Sequence, residues 1–274
     1  MVRRAGLQMP PGNYAYNPSA WSWQTFLEYA RKLTTGDPAS GPGAGVFGWN
    51  TQFGWRPYSV WGYANGGEFF NKEMTECTIT DAKPVEALQN LSDLIHRHKV
   101  APTRQMTMAE NFENMFTSGR VAMNESLPGA INRYRAVSGF NFDVAPIPGS
   151  TKACTGGGSG YAMYAGTKDP DAAWLFVQHL VGPVVQRSNA EAGSGVPARR
   201  SVMDQVFARQ APPPKNVRVF EANAKTARII PPILRWTEMI AEVNKLLPQL
   251  WNGDKTARDV CGEIKRLTDP ILKS

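Results

Sequence analysis

Residues 156–181 read GGGSGYAMYAGTKDPDAAWLFVQHLV, and the segment closes with SGVPARR at 194–200. The glycines form a turn that leads into a short apolar strand, Tyr161 to Ala165. Asp169 then offers a side-chain oxygen to the first N–H groups of a helix. Pro170 takes the first helical position, where a missing N–H costs nothing. Ala173, Trp174, Val177, Leu180 and Val181 recur at helical spacing, so one face needs a sheet to cover it. A second short helix follows Gly182-Pro183, and Gly193–Pro197 breaks the pattern again. Strand, turn, helix and return between two glycine-rich breaks describe an excursion into a second lobe.

Leaving Trp174, Val177, Leu180 and Val181 in water forfeits about 1.5–3 kcal/mol per side chain. A whole domain is stable by only about 5–15 kcal/mol. The excursion is therefore expected to be poorly ordered alone, or to pack against something else.

The chain has 274 residues, enough for one large domain or two small ones. Its 42% hydrophobic and 19% charged content is ordinary for a globular protein. The net charge of +7 invites a nucleic-acid reading, but the bases are scattered in pairs such as Arg3-Arg4 and Arg199-Arg200. A nucleic-acid binder concentrates them on one face, so this charge reads as a solvated surface. Cys77, Cys154 and Cys261 stand far apart with no C-x-x-C, and His96 and His98 are two apart on one helix. Neither pattern suits a metal, and no metal or cofactor is expected. No run approaches 18 apolar residues, which excludes a spanning helix. The first residues, MVRRAGLQMPPG, lack the apolar core of a signal peptide.

Around the opening segment the pattern is α/β. Residues 1–20 are turn-rich, with a turn at Asn17-Pro18. Ser22 caps a helix striped by Trp23, Phe26, Leu27, Ala30 and Leu33, and Val46 to Trp49 is a buried strand. The run from Trp49 to Tyr63 crowds in Phe53, Trp55, Tyr58 and Trp61. It fits either a helix packed on a core or an aromatic wall with Arg56 and Asn50 as hydrogen-bonding groups. Thr80-Asp81 opens a helix over Leu88, Leu91 and Leu94, and Thr107-x-x-Glu110 reads as a capping box. Arg120–Asn124 and Phe142–Ile147 read as strands. Ser201 caps a short helix, Pro231-Pro232 starts a long one through Trp236, and Thr256 opens the last.

Enzyme signatures are absent. Gly156-x-Gly158-x-Gly160 superficially resembles a dinucleotide loop, but a strand is expected after it where a helix should begin. No phosphate loop and no G-x-S-x-G elbow occurs, and no catalytic constellation emerges.

Several stretches do carry a resemblance: AGLQMPP with AWSWQTFLEYARKLT, ALQNLSDLIHRHKVAPT, FTSGRVAMNES, FDVAPIPG, GSGYAMYAGTKDPDAAWLFVQHL and SGVPARRSV. In this order and spacing the chain resembles the family 1 extracellular solute-binding proteins, the sugar-binding components of ABC importers related to maltose-binding protein. The resemblance implies a periplasmic-binding-protein-like type II α/β fold and a ligand held between two lobes. It implies no catalysis, a monomer outside the cytoplasm, and permease subunits as partners. Residues 1–150 and 197–274 would form a nearly complete second lobe, and 151–196 the surviving part of the first. The signal peptide and most of the first lobe are expected to be missing, so weak or no sugar binding is expected of this chain. Carried over by position, ligand contacts fall on Trp55, Arg56, Asn124, Glu125, Ser126, Gly158, Ser159, Gly160 and Trp236. Where many relatives carry a Trp after the A-M strand, this chain has Pro128-Gly129, so one stacking ring is missing or comes from elsewhere. A polyol or glycerol-phosphate binder is the alternative, and a glycan-active enzyme a more distant one.

Overall fold

The computed structural model describes residues 1–10, 20–151, 154–193, 195–229 and 231–273. The expected turn at Asn17-Pro18 lies outside the described residues. In chain order the elements begin α1 (Trp23–Leu33), β1 (Thr35–Gly36), β2 (Gly45–Asn50), α2 (Trp55–Ala64), α3 (Ala82–His96), α4 (Arg104–Glu110), α5 (Phe112–Thr117) and β3 (Val121–Asn124). There follow α6 (Ile131–Arg135), β4 (Cys154–Gly156), α7 (Pro170–Leu180), α8 (Pro183–Glu191), α9 (Arg200–Gln205) and α10 (Val219–Ala224). The chain ends through β5 (Ala227–Ile229), α11 (Trp236–Trp251) and α12 (Ala257–Leu272).

These elements gather into two compact units. The first comprises Met1–Ser126, Pro146–Gly156 and Asn223–Ser274, the second Leu127–Ala145 and Gly157–Ala222. The second is larger than the 151–196 excursion, and side-chain bonds give the reason. The Arg135 guanidinium donates to the carbonyls of Pro213 (2.6 Å) and Ala211 (2.9 Å), and Asp143 Oδ1 accepts from the N–H groups of Lys215 and Asn216. The segments on either side of the excursion are thereby fastened to each other.

In the first unit, β2 pairs antiparallel with β1 and parallel with β3, with Phe47 opposite Val121 and Asn50 opposite Asn124. Helix α1 is capped as its sequence requires, Ser22 Oγ accepting from Thr25 N at 3.2 Å. It lies so close to β2 that a Cβ on Gly48 would sit 1.9 Å from the Ala30 carbonyl oxygen. Helix α2 is buried along nearly its whole surface, from Trp55 through Ala64 except Arg56. Phe26, Trp49 and Trp23 meet Trp61 at ring-centroid distances of 5.0, 5.6 and 5.5 Å. The stripes of α3, α11 and α12 close the same core through Leu88, Leu94, Met239, Leu247 and Ile264, all fully buried.

Five expected features fall differently. Thr107 opens no helix: α4 starts at Arg104, capped by Thr103, and buried Thr107 lies inside it. The break comes at Asn111, whose positive φ of 65° ends α4 while its side chain caps α5. Phe142–Ile147 forms no strand, because Pro146 cannot donate and Asp143 Oδ1 captures the Val144 N–H at 2.9 Å. Ser201 lies inside α9 rather than at its cap, and α11 starts at Trp236, beyond Pro231-Pro232.

The opening segment shows the fifth difference. Its helix is present as α7, with Asp169 Oδ1 accepting from Ala172 N at 3.0 Å. The strand at Tyr161–Ala165 is not, and short strand β4 lies earlier, at Cys154–Gly156. A strand needs a partner for its backbone groups, and among the described residues none pairs with 161–165. Nor is α7 covered: none of its residues is buried, and Trp174, Leu175 and Phe176 are 52, 64 and 61% exposed.

A paired substitution reads this difference directly. Leu88→Ala, in the sealed core, should cost about 2–5 kcal/mol of stability. Leu175→Ala on α7 should change it by no more than about 0.5 kcal/mol. Urea unfolding followed by circular dichroism measures both, and a comparable loss at the two positions would show that α7 is packed.

Candidate functional site

The parallel pair β2–β3 brings two chain segments side by side where the strands end, and Asn50 fastens them. It is 1% exposed. Its Oδ1 accepts from Thr51 N (2.8 Å) and Thr107 Oγ1 (3.4 Å), and its own carbonyl accepts from Glu125 N (3.0 Å). Sequence reasoning offered Asn50 as a ligand-facing group. The structure makes it an internal fastener, since its amide is spent on the protein.

Glu125 follows β3 directly. Trp61 Nε1 and Thr51 Oγ1 donate to the same carboxylate oxygen, Oε2, at 2.8 and 2.9 Å. The residue keeps part of its surface in solvent. Burial nevertheless dominates at its carboxyl and pushes the pKa above the usual value, against the hydrogen bonds of Trp61 and Thr51 and the charge on Arg56. Ser126, next in the chain, donates to Glu113 Oε1 at 3.2 Å. Asn124 and Ser126 are both half-buried.

Trp55 and Arg56 open α2. The Trp55 N–H, which has no partner within its own helix, donates to Asn244 Oδ1 at 2.8 Å. Its ring is 7% exposed and edge-on to Phe69 (4.9 Å), Tyr58 (5.8 Å) and Trp236 (6.1 Å). Trp55 is thus a core residue, and the ring that reaches solvent beside it is half-buried Trp236, at the start of α11. Arg56 is the half-buried residue on an otherwise buried helix.

The first unit therefore brings together Trp55 with Trp236, and Arg56 with Glu125. Gly158, Ser159 and Gly160 belong to the second unit. They are exposed, with open space where a Cβ on either glycine would point, so no close backbone approach accounts for glycine there. Sequence reasoning missed Thr51 and Asn244. Trp61 is core, but its indole N–H also holds the carboxylate. The only sequence signal was a polar pair, Asn50-Thr51, directly after a buried strand. Among the described residues, no group of His, Cys, Asp or Glu could hold a metal ion. Cys77 and Cys261 are free and buried, with the Cys261 thiol pushed up to about 12 chiefly by burial.

Residues 8–215 match the family model described as bacterial extracellular solute-binding protein. Among solved structures, the chain is similar to an ABC substrate-binding protein from Listeria monocytogenes in complex with cycloalternan. The TM-score is 0.82 and the identity 20%, over 98% of this chain and 67% of that one. It is also similar to the GacH receptor of Streptomyces glaucescens, solved with acarbose, at a TM-score of 0.79 and 23% identity over 100% of this chain and 67% of that one. UgpB from Mycobacterium tuberculosis, in complex with glycerophosphocholine, matches at 0.78 and 20%, over 98% and 66%. The chain spans about two thirds of the length of these relatives.

The raised pKa of Glu125 carries a stability consequence. Its folded-state value lies above the unfolded one, so stability is complete below the unfolded pKa and declines as pH rises through the folded pKa. Glu125→Gln stays neutral and should unfold at a higher urea midpoint than the parent at pH 7. The advantage should vanish toward pH 4. An equal effect at both pH values would show that the carboxyl is not held above its usual range.

Proposed function

The chain belongs to the bacterial extracellular solute-binding proteins, and from that premise we propose that it is the carbohydrate-binding component of an ABC importer. Its α/β fold is the periplasmic-binding-protein-like fold of its solved relatives. The single observation that carries the proposal is that the first unit sets Arg56 beside Glu125 at the end of β3 and, at the neighbouring residue Trp55, the half-buried ring of Trp236. Trp236 offers an aromatic surface for the apolar face of a sugar, a large contact at low entropy cost. Arg56, Asn124, Glu125 and Ser126 offer donors and acceptors for hydroxyls, which cost about 1–3 kcal/mol each when buried without partners. Solved relatives with cycloalternan and acarbose support the same class of ligand.

In this reading the first unit supplies side chains that contact the ligand. Family likeness adds Gly158, Ser159 and Gly160, and the ligand-bound form is the one that permease subunits recognise. The protein acts outside the cytoplasm as a monomer and carries out no chemical step on its ligand. Glycerophosphocholine, the ligand of UgpB, marks the alternative class, and Arg56 is the residue that would take its phosphate.

Because one compact unit supplies the named side chains, affinity should be weak, with a Kd of about 1 mM, some 4 kcal/mol. Titrating maltotriose into labelled chain should shift the Trp236 indole and Arg56 side-chain NMR signals together. Glycerophosphocholine at equal concentration should leave them in place. Shifts produced by glycerophosphocholine alone would reverse the assignment of ligand class.

A further inference from the structure

The two donors on Glu125 converge on one oxygen. Trp61 Nε1 and Thr51 Oγ1 both reach Oε2, at 2.8 and 2.9 Å, and neither bond uses Oε1. Both donors are immobile. Trp61 is 4% exposed and enclosed by the rings of Trp23, Phe26 and Trp49. Thr51 is 7% exposed, and its N–H is fixed by Asn50 Oδ1. The Glu125 main chain is held by the carbonyl of the same Asn50. A carboxylate held at its main chain and at one oxygen has its other oxygen aimed by the protein, at no entropy cost to a ligand. An ionised carboxylate only accepts hydrogen bonds, so Oε1 suits a hydroxyl donor and repels a phosphate. The positive charge acting on it is Arg56, and the next residue, Ser126, donates to Glu113.

We propose that Thr51, together with Trp61, positions Glu125 as a one-oxygen acceptor that selects uncharged, hydroxyl-bearing ligands over phosphate esters. This rests on Glu125 facing the ligand, as the proposed function has it. Thr51 is a positioning residue, acting through Glu125. The selection has a physical counterpart in specificity gained by placing a repulsive group against the wrong ligand.

The test uses the full chain with 13C-labelled glutamate side chains, the Glu125 signal being assigned by its loss in Glu125→Gln. Removing a donor to the charged form should move the carboxyl titration of Thr51→Val to higher pH, and Thr51→Ser should restore it. With ligand, Thr51→Val should weaken maltotriose about three- to tenfold while Thr51→Ser stays near the parent. Glu125→Gln should weaken maltotriose and tighten glycerol 3-phosphate. A Thr51→Val chain whose Glu125 titrates as in the parent overturns the positioning, because a purely structural role for Thr51 would leave that curve alone. If Glu125→Gln gains no affinity for glycerol 3-phosphate, the selection is overturned. Should maltotriose leave the parent chain unaffected, the carbohydrate reading fails separately, and the ligand-free titration still decides whether Thr51 positions Glu125.

Discussion

The enclosure of α2 is the constraint on which the first unit depends. A helix that is apolar around its whole circumference is stable in water only when other elements surround it. Here α1 and β2 contribute Phe26 and Trp49 against Trp61, the segment after α2 contributes Phe69, and α12 reaches Tyr58 through Cys261. The fit is close enough that a Cβ on Gly62 would lie 2.2 Å from Phe69 Cζ. Since only four residues separate α2 from β2, its enclosure also fixes where the strand ends and where Thr51 and Arg56 stand.

The site follows from that placement. Trp61 is pinned by its aromatic neighbours, so its indole N–H is a fixed donor, and Glu125 docks on it from the end of the parallel partner strand. A carboxylate under a partly buried roof pays for desolvation with a raised pKa. Trp55 and Trp236 differ from each other: one ring fills the core while the other, in edge contact with it, reaches solvent.

Much of the fold was legible because its signals are local. Ser22, Asp169 and Thr256 were read as caps from residue type and spacing, and each side chain accepts the N–H three residues on. Strands β2 and β3 stood out as short apolar runs. The failures share a cause: at Thr107, Phe142–Ile147 and Tyr161–Ala165 the local pattern fits, but a distant partner decides. Thr107 is claimed by Asn50, Asp143 by the segment at 215–216, and 161–165 has no strand beside it among the described residues. The site was half legible. Family-like positions pointed to Glu125 and Trp236, whereas Asn244 carries no sequence signature and Thr51 only its place in a polar pair after β2, because they matter through what lies 189 and 74 residues away.

The two apolar helices mark the boundary between what the chain encodes and what folding adds. The sequence alone marked Pro170–Leu180 as a helix with an apolar face to cover, and left the aromatic run at Trp55–Ala64 between a packed helix and an aromatic wall. Only the tertiary structure decided their fates: α2 is sealed, and α7 has no buried residue. The physical reason is that burial belongs to a pair of surfaces. Sequence periodicity specifies the face that must be covered, and covering it takes a second element at the right distance, which no single stretch of chain can record.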